Sequence, residues 1–146
     1  MNQQAIFEAI RQKEEKLCVL ATATKDNRPE CAVVGYAAKE DGTIIINTNR
    51  HTRKVGNIRQ NNSVALAVGW SFGYRNFQYE GKAEIIEKDN PDFTSLEEFF
   101  FGQNPHAKKF QSPDTIFLCI KPTWVRMLDL TVDPVVTKEF PINGNE

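Results

Sequence analysis

Apolar positions near the start of the chain recur at helical spacing, with Ala5, Ile6, Ala9, Ile10 and Leu17 on one side of an amphipathic helix that ends around Lys16. Beyond it the pattern becomes that of strands. Leu17–Thr24, Glu30–Ala38 and Thr43–Asn47 are rich in Val, Ile, Thr and Ala and are separated by KDNRP and KEDG, both turn compositions, which predicts an antiparallel meander. A short helix from about His51 to Gln60 follows, with Val55 and Ile58 turned inward, Asn49 or Thr52 as its cap and Asn61-Asn62 ending it. Ser63–Trp70 and Phe77–Glu87 read as longer strands around a Gly-containing aromatic loop from Ser71 to Asn76. Pro91 at a first turn, followed by Phe93, Leu96, Phe99 and Phe100 at helical spacing, predicts a helix that packs on the strands and ends near Gly102. A turn or short helix around Pro105–Phe110 precedes the strands Thr115–Lys121 and Trp124–Leu130, and the tail after Val136 reads as an edge strand or as disordered. Short strands at regular spacing with few helices specify a mainly β fold, an antiparallel barrel closed or partly closed.

At 146 residues the chain suits one domain, 1–146, with a core that needs no disulfide or metal staple. No apolar run reaches membrane-spanning length, and the N-terminus lacks the apolar centre of a secretory signal, so a cytoplasmic protein without membrane contact is expected. Charge changes the picture more. Thr43 to Tyr79 contains no Asp or Glu but holds Arg50, Arg53, Lys54, Arg59 and Arg75, in a chain of formal net charge −1. A solvated helix face is the ordinary reading of such a cluster. Against it, exposed helices usually carry acidic residues three or four positions from their cations, and none is present here. Because the cluster falls on a strand-to-helix turn, where N–H groups and the helix dipole favour an anion, a phosphate site is the sharper expectation.

Other chemistry is thinner. Gly69-Trp70-Ser71-Phe72-Gly73 matches the GxSxG nucleophile elbow, but a strand pattern follows the Ser where that elbow needs a helix. There is no GxGxxG or GxxxxGK[ST] to make the basic turn a dinucleotide site or a P-loop. His51 and His106 lack the spacing of metal ligands, so metal catalysis is not expected. Cys18, Cys31 and Cys119 show no CxxC spacing, and a hairpin turning near Asp26 and Asn27 does not set Cys18 opposite Cys31, so all three are expected to be buried thiols. Trp70, Phe72, Tyr74, Phe77 and Tyr79 serve either as core or as a platform for a planar ring. A basic, aromatic barrel can also bind single-stranded nucleic acid, but such modules are basic overall and this chain is not, so no nucleic-acid partner is expected.

Taken together, Leu17 to Glu87 resembles the FMN-binding split barrels related to pyridoxamine 5'-phosphate oxidase. Ile46-Asn47-Thr48-Asn49-Arg50-His51-Thr52-Arg53-Lys54 is similar to that family's phosphate loop, with Thr52 where Ser is common. Asn57 to Leu66 resembles its following helix and strand start, with Asn62 in place of Pro, and Trp70 with Gln78 to Glu84 fits the strand that carries a Glu-Gly signature. The resemblance implies FMN as cofactor. Its phosphate would be held by Thr48, Thr52, Arg53 and Lys54, with Asn47 contributing through its backbone or amide. The backbone of Val33, Val34, Gly35 and Tyr36 would line the isoalloxazine, and Asn76 stands where the oxidase has a flavin-contacting Gln. The resemblance further implies a homodimer with flavin at the interface.

The departures point away from the vitamin-forming reaction. Cys31 to Ala37 lacks the Arg and Lys that bracket the flavin strand of the oxidases, and no substrate-gripping segment rich in Arg, His and Trp follows Leu130. The resemblance therefore runs to the short members called general stress proteins. The expected function is an FMN-dependent oxidoreductase acting on an unidentified small substrate, with a flavin store or sensor that turns over nothing as the alternative.

Overall fold

The computed structural model describes residues 1–142. Its first helix, α1 (Gln3–Arg11), starts where the Asn2 carboxamide oxygen accepts from the Ala5 N–H at 2.8 Å. It stops short of Lys16, because Lys13-Glu14-Glu15-Lys16 offers no apolar side to bury. The strands are β1 (Leu17–Ala23), β2 (Pro29–Ala38), β3 (Ile44–Asn49), β4 (Ser63–Val68), β5 (Arg75–Ile86), β6 (Thr115–Asp129) and β7 (Val136–Pro141). Two more helices, α2 (Arg53–Gln60) and α3 (Phe93–Gln103), and a 3-10 turn (Pro105–Phe110) complete the described chain.

All pairings are antiparallel in the order β3-β2-β1-β4-β5-β6, and β6 returns to β3, so six strands close into the split barrel while β7 extends the sheet from β6. Alternation sets the inside. Cys18, Leu20 and Thr22 on β1, Val64, Leu66 and Val68 on β4, and Phe77 and Tyr79 on β5 are buried at every second position. Ile6, Phe7 and Ile10 of α1 join this core, as do Val55 and Ile58 of α2. Its polar groups are matched: the Tyr36 hydroxyl donates to the Ile10 carbonyl at 2.7 Å, and the Tyr79 hydroxyl lies 2.8 Å from the Gly42 carbonyl and 3.0 Å from that of Ile120. Outside the barrel, Phe93, Leu96, Phe100 and Phe101 of α3 pack against Ala37, Ile45, Ile86 and Phe117. Phe101 is buried where the helical spacing favoured Phe99.

The expected break between Thr115–Lys121 and Trp124–Leu130 does not occur. Pro122 lies within one continuous β6, and the irregularity is absorbed by a register shift: Glu80 pairs with Trp124 but Gly81 with Pro122, leaving Thr123 as the extra residue. Beyond the bulge β6 exchanges β3 for β7, and the Ile142 N–H reaches the Thr123 carbonyl at 2.9 Å. Of the two readings of the tail, Val136–Pro141 forms the edge strand, and 143–146 lie outside the described residues.

One discontinuity positions the site. From Pro29 to Gly35, β2 pairs with β1, but it pairs with β3 only at Tyr36–Ala38. The Tyr36 N–H bonds Lys16 on the β1 side. By the alternation of an antiparallel ladder, even-numbered residues of β2 face β1, and Cys31 and Val33 turn their N–H and C=O toward an edge that no described strand covers.

Candidate functional site

Two cavities flank this open edge. The first, of about 450 Å³, is lined by Leu20, Thr22, Glu30, Cys31 and Ala32 from the barrel and by His51, Thr52, Arg53 and Lys54 from the turn into α2. The helix begins at Arg53 because Thr52 has extended backbone and anchors the turn, its hydroxyl donating to the Asn49 carbonyl at 2.9 Å. Asn49 is not the cap, since its carboxamide oxygen accepts from the His51 N–H at 2.9 Å. The last turn of α2 buries Ile58 and the first buries Val55, which fixes Arg53 and Lys54 at the cavity mouth.

The carboxylates missing from the local sequence arrive through the fold. Glu87 lies 3.0 Å from Arg50 and 3.5 Å from Arg59, Asp129 pairs with Arg75 at 3.2 Å, and Asp114 lies 3.5 Å from the His51 Nε2. Glu30 pairs with Arg53. Lys54 differs: among the described residues it has no carboxylate partner. It is half-buried, and that burial holds its ammonium below the usual lysine value. A desolvated cation without a counter-charge, beside an exposed guanidinium, favours an anion in this cavity.

The second cavity, about 590 Å³, opens on the far end of the same strand. Val33, Val34, Gly35 and Asn47 line it together with α3 and the 3-10 turn, including Phe100, Gln103 and His106. Gly35 lies four steps along the strand from Cys31, a span of about 13 Å. A ligand with a phosphate at one end and a planar ring at the other can therefore lie along the β2 edge. Ring heteroatoms would meet backbone donors and acceptors there, at Cys31 and Val33 above all.

Thr52, Arg53 and Lys54 thus come together in the first cavity, and Val33, Val34, Gly35 and Asn47 in the second. Three candidates line neither. Thr48 is half-buried in the β3–β6 ladder opposite Ile116. Tyr36 is fully buried in the core, and its carbonyl accepts from the Asn104 carboxamide at 3.0 Å. Asn76 sits at the base of the 69–76 loop, where its nitrogen donates to the Ser71 carbonyl at 3.1 Å while its buried oxygen has no hydrogen-bond partner. In that loop Ser71 is followed by a turn and then β5, not by a helix. The aromatic set divides between its two readings: Phe77 and Tyr79 are core, while Trp70, Phe72 and Tyr74 are 59%, 91% and 67% exposed.

Glu30 and Cys31 were not foreseen at the site. Cys31 is exposed, contrary to the expectation of three buried thiols, because alternation with the inward-facing Tyr36 and Val34 turns it away from the core. Cys18 is fully buried, and burial pushes its thiol up to about 12, which leaves it inert. As register predicted, Cys18 pairs with Val34 and not with Cys31.

The family model described as pyridoxamine 5'-phosphate oxidase matches residues 3–129. The chain belongs to the pyridoxamine 5'-phosphate oxidase family. Among individual members, the pyridoxine/pyridoxamine 5'-phosphate oxidase of Ehrlichia chaffeensis is 31% identical over 80 residues, 55% of this chain and 40% of that protein. The chain thus spans less than half the length of the curated relatives it matches. Solved structures agree on the fold. General Stress Protein 26 from Bacillus anthracis superposes with a TM-score of 0.73 at 20% identity, covering 97% of this chain and 100% of that one. A pyridoxamine 5'-phosphate oxidase-related, FMN-binding protein from Nostoc punctiforme gives 0.70 at 16% identity, covering 97% and 96%. A heme-binding protein from Mycobacterium smegmatis gives 0.74 at 15% identity, covering 94% and 58%.

Proposed function

We propose that this member of the pyridoxamine 5'-phosphate oxidase family is an FMN-binding oxidoreductase of the general-stress-protein type. The observation that carries the reading is Lys54, a half-buried cation without a described carboxylate partner, set beside Arg53 at the end of an open strand edge. Lys54 and Arg53 hold the phosphate, aided by the first N–H groups of α2, with Thr52 lining the same cavity. The isoalloxazine lies along Val33–Gly35 with Asn47 beside it. Bound there, the flavin supplies electron transfer, and the chain supplies binding, orientation and exclusion of water. The substrate is a small molecule entering by the second cavity. Vitamin formation is not the activity proposed, since the segment from Cys31 to Ala37 that lines the open edge holds no Arg or Lys.

The working unit is a homodimer. Val19, Ala21, Ala65, Ala67 and Trp124, with Gln78 and Glu80 among them, line a shallow, mostly apolar groove of about 400 Å³ on the outside of β1, β4, β5 and β6, and the proposal seats the second copy there. No helix among the described residues is long and apolar enough to cross a membrane, and the cytoplasm is the compartment proposed.

Anaerobic mixing of the FMN-loaded protein with NADH or NADPH tests the enzyme reading. Bleaching of the oxidised flavin band, restored by oxygen or an added acceptor, is expected. A bound flavin inert to both donors and to dithionite-coupled acceptors would instead make the protein a flavin store or sensor.

A further inference from the structure

Glu30 occupies an unexpected position for a carboxylate. It lines the same cavity as Arg53 and Lys54 and reaches across the split between β2 and α2. One carboxylate oxygen accepts from the Asn57 carboxamide at 2.8 Å and the other pairs with an Arg53 guanidinium nitrogen. The Asn57 nitrogen also donates to the buried Thr22 hydroxyl at 3.0 Å, so Glu30 is held by a network that runs from β1 through α2. The carboxylate is the better fixed of the two charges: the Glu30 side chain is 28% exposed and that of Arg53 is 75% exposed.

We infer that Glu30 is a built-in competitor for the phosphate, a specificity-determining residue that limits how tightly the site holds a multiply charged anion. The inference rests on the phosphate pocket proposed above, but not on the ligand being a flavin. A guanidinium that gives one N–H to a carboxylate oxygen has fewer donors and fewer orientations left for the paired geometry with a phosphate that makes arginine effective. The carboxylate stays in place when the anion arrives, because Asn57 and Thr22 anchor it from behind. Phosphate and carboxylate then share one cavity at separations where like charges repel appreciably even at the dielectric of a protein surface. With Glu30 counted, Arg53 and Lys54 leave the cavity about one positive charge, so a dianionic phosphomonoester such as that of FMN is held less tightly than the two cations alone would hold it.

The test is titration calorimetry of the full chain and of Glu30→Gln, with FMN and, separately, with inorganic pyrophosphate. Glutamine preserves the shape and can still accept from Asn57. Asp26→Asn serves as the control, an exposed carboxylate whose partner is Arg28 and whose loss changes the net charge equally. The expected result is that Glu30→Gln binds both probes about tenfold more tightly, roughly 1.4 kcal/mol, while Asp26→Asn stays within about twofold of the parent. Arg53→Ala should also cost more affinity in the Gln background than in the parent, since Arg53 is released there. Should the Gln variant fail to fold, Glu30→Thr, suited to a strand, carries the same reading. Unchanged or weaker binding of both probes would overturn the inference and make Glu30 a positioning residue for Arg53. If pyrophosphate tightens while FMN binds neither protein, the flavin reading fails and the role of Glu30 stands.

Discussion

Replacing Arg53 and Lys54 together by alanine is expected to abolish flavin retention through purification. Each supplies a charge-assisted bond to the phosphate, worth about 1.5–3 kcal/mol. Losing both weakens FMN binding by about 3–6 kcal/mol, a rise in Kd of roughly 10²- to 10⁴-fold. Lys54 alone should account for more of it than Arg53 alone, because Arg53 is shared with Glu30 whereas Lys54 has no carboxylate partner among the described residues. The fold should survive. Arg53 is exposed, its ion pair has the small worth of a surface pair, and α2 is held by Val55 and Ile58 instead. Fluorescence titration with FMN, with melting curves run alongside, reads both halves of the expectation. A double variant that keeps full FMN occupancy contradicts the assigned pocket.

Gly81→Ala is expected to be the most damaging single methyl group in the barrel. A Cβ at this position would lie 2.5 Å from the Lys121 carbonyl oxygen, 2.8 Å from Ile120 Cγ2 and 2.9 Å from the Tyr79 ring. The first of these is backbone and cannot swing aside. Relief requires β5 and β6 to part at the bulge, where Gly81 pairs with Pro122, and that motion also disturbs the Tyr79 hydroxyl held by the Gly42 and Ile120 carbonyls. Overpacking of this kind costs about 2–4 kcal/mol and lowers Tm by roughly 5–15 °C for a chain of this size. Gly102→Ala provides the contrast: it lies in α3 with open space around its Cβ position, and should gain about 0.5–1 kcal/mol from helix propensity. Equal effects at the two glycines would show that the bulge tolerates a side chain.

The barrel was legible because its signals are local. Two-residue alternation in Leu17–Ala23 and Ser63–Val68 marks the inward face, and the turn at Asp26-Asn27 sets the register that keeps Cys18 away from Cys31. The basic turn was legible too, as a concentration of charge on a strand-to-helix junction. What stayed hidden depends on distance along the chain. Glu30, Glu87 and Asp114 meet Arg53, Arg50 and His51 only once the barrel closes, so the apparent absence of counter-charge was true of the segment and not of the fold. The open edge of β2 is likewise a property of where β3 stops pairing, which no pattern within Pro29–Ala38 announces. Pro122 misled in the opposite direction. It reads as a strand break, but a bulge with Thr123 as its extra residue lets β6 run through it.

The central claim is that the Arg53–Lys54 cavity and the β2 edge together hold FMN. Its most direct test is the visible absorption spectrum of freshly purified protein, with mass spectrometry of whatever heat releases. The account predicts the two-banded spectrum of an oxidised flavin and release of FMN. A colourless protein that does not take up added FMN, or one showing the Soret band of a heme, would contradict it.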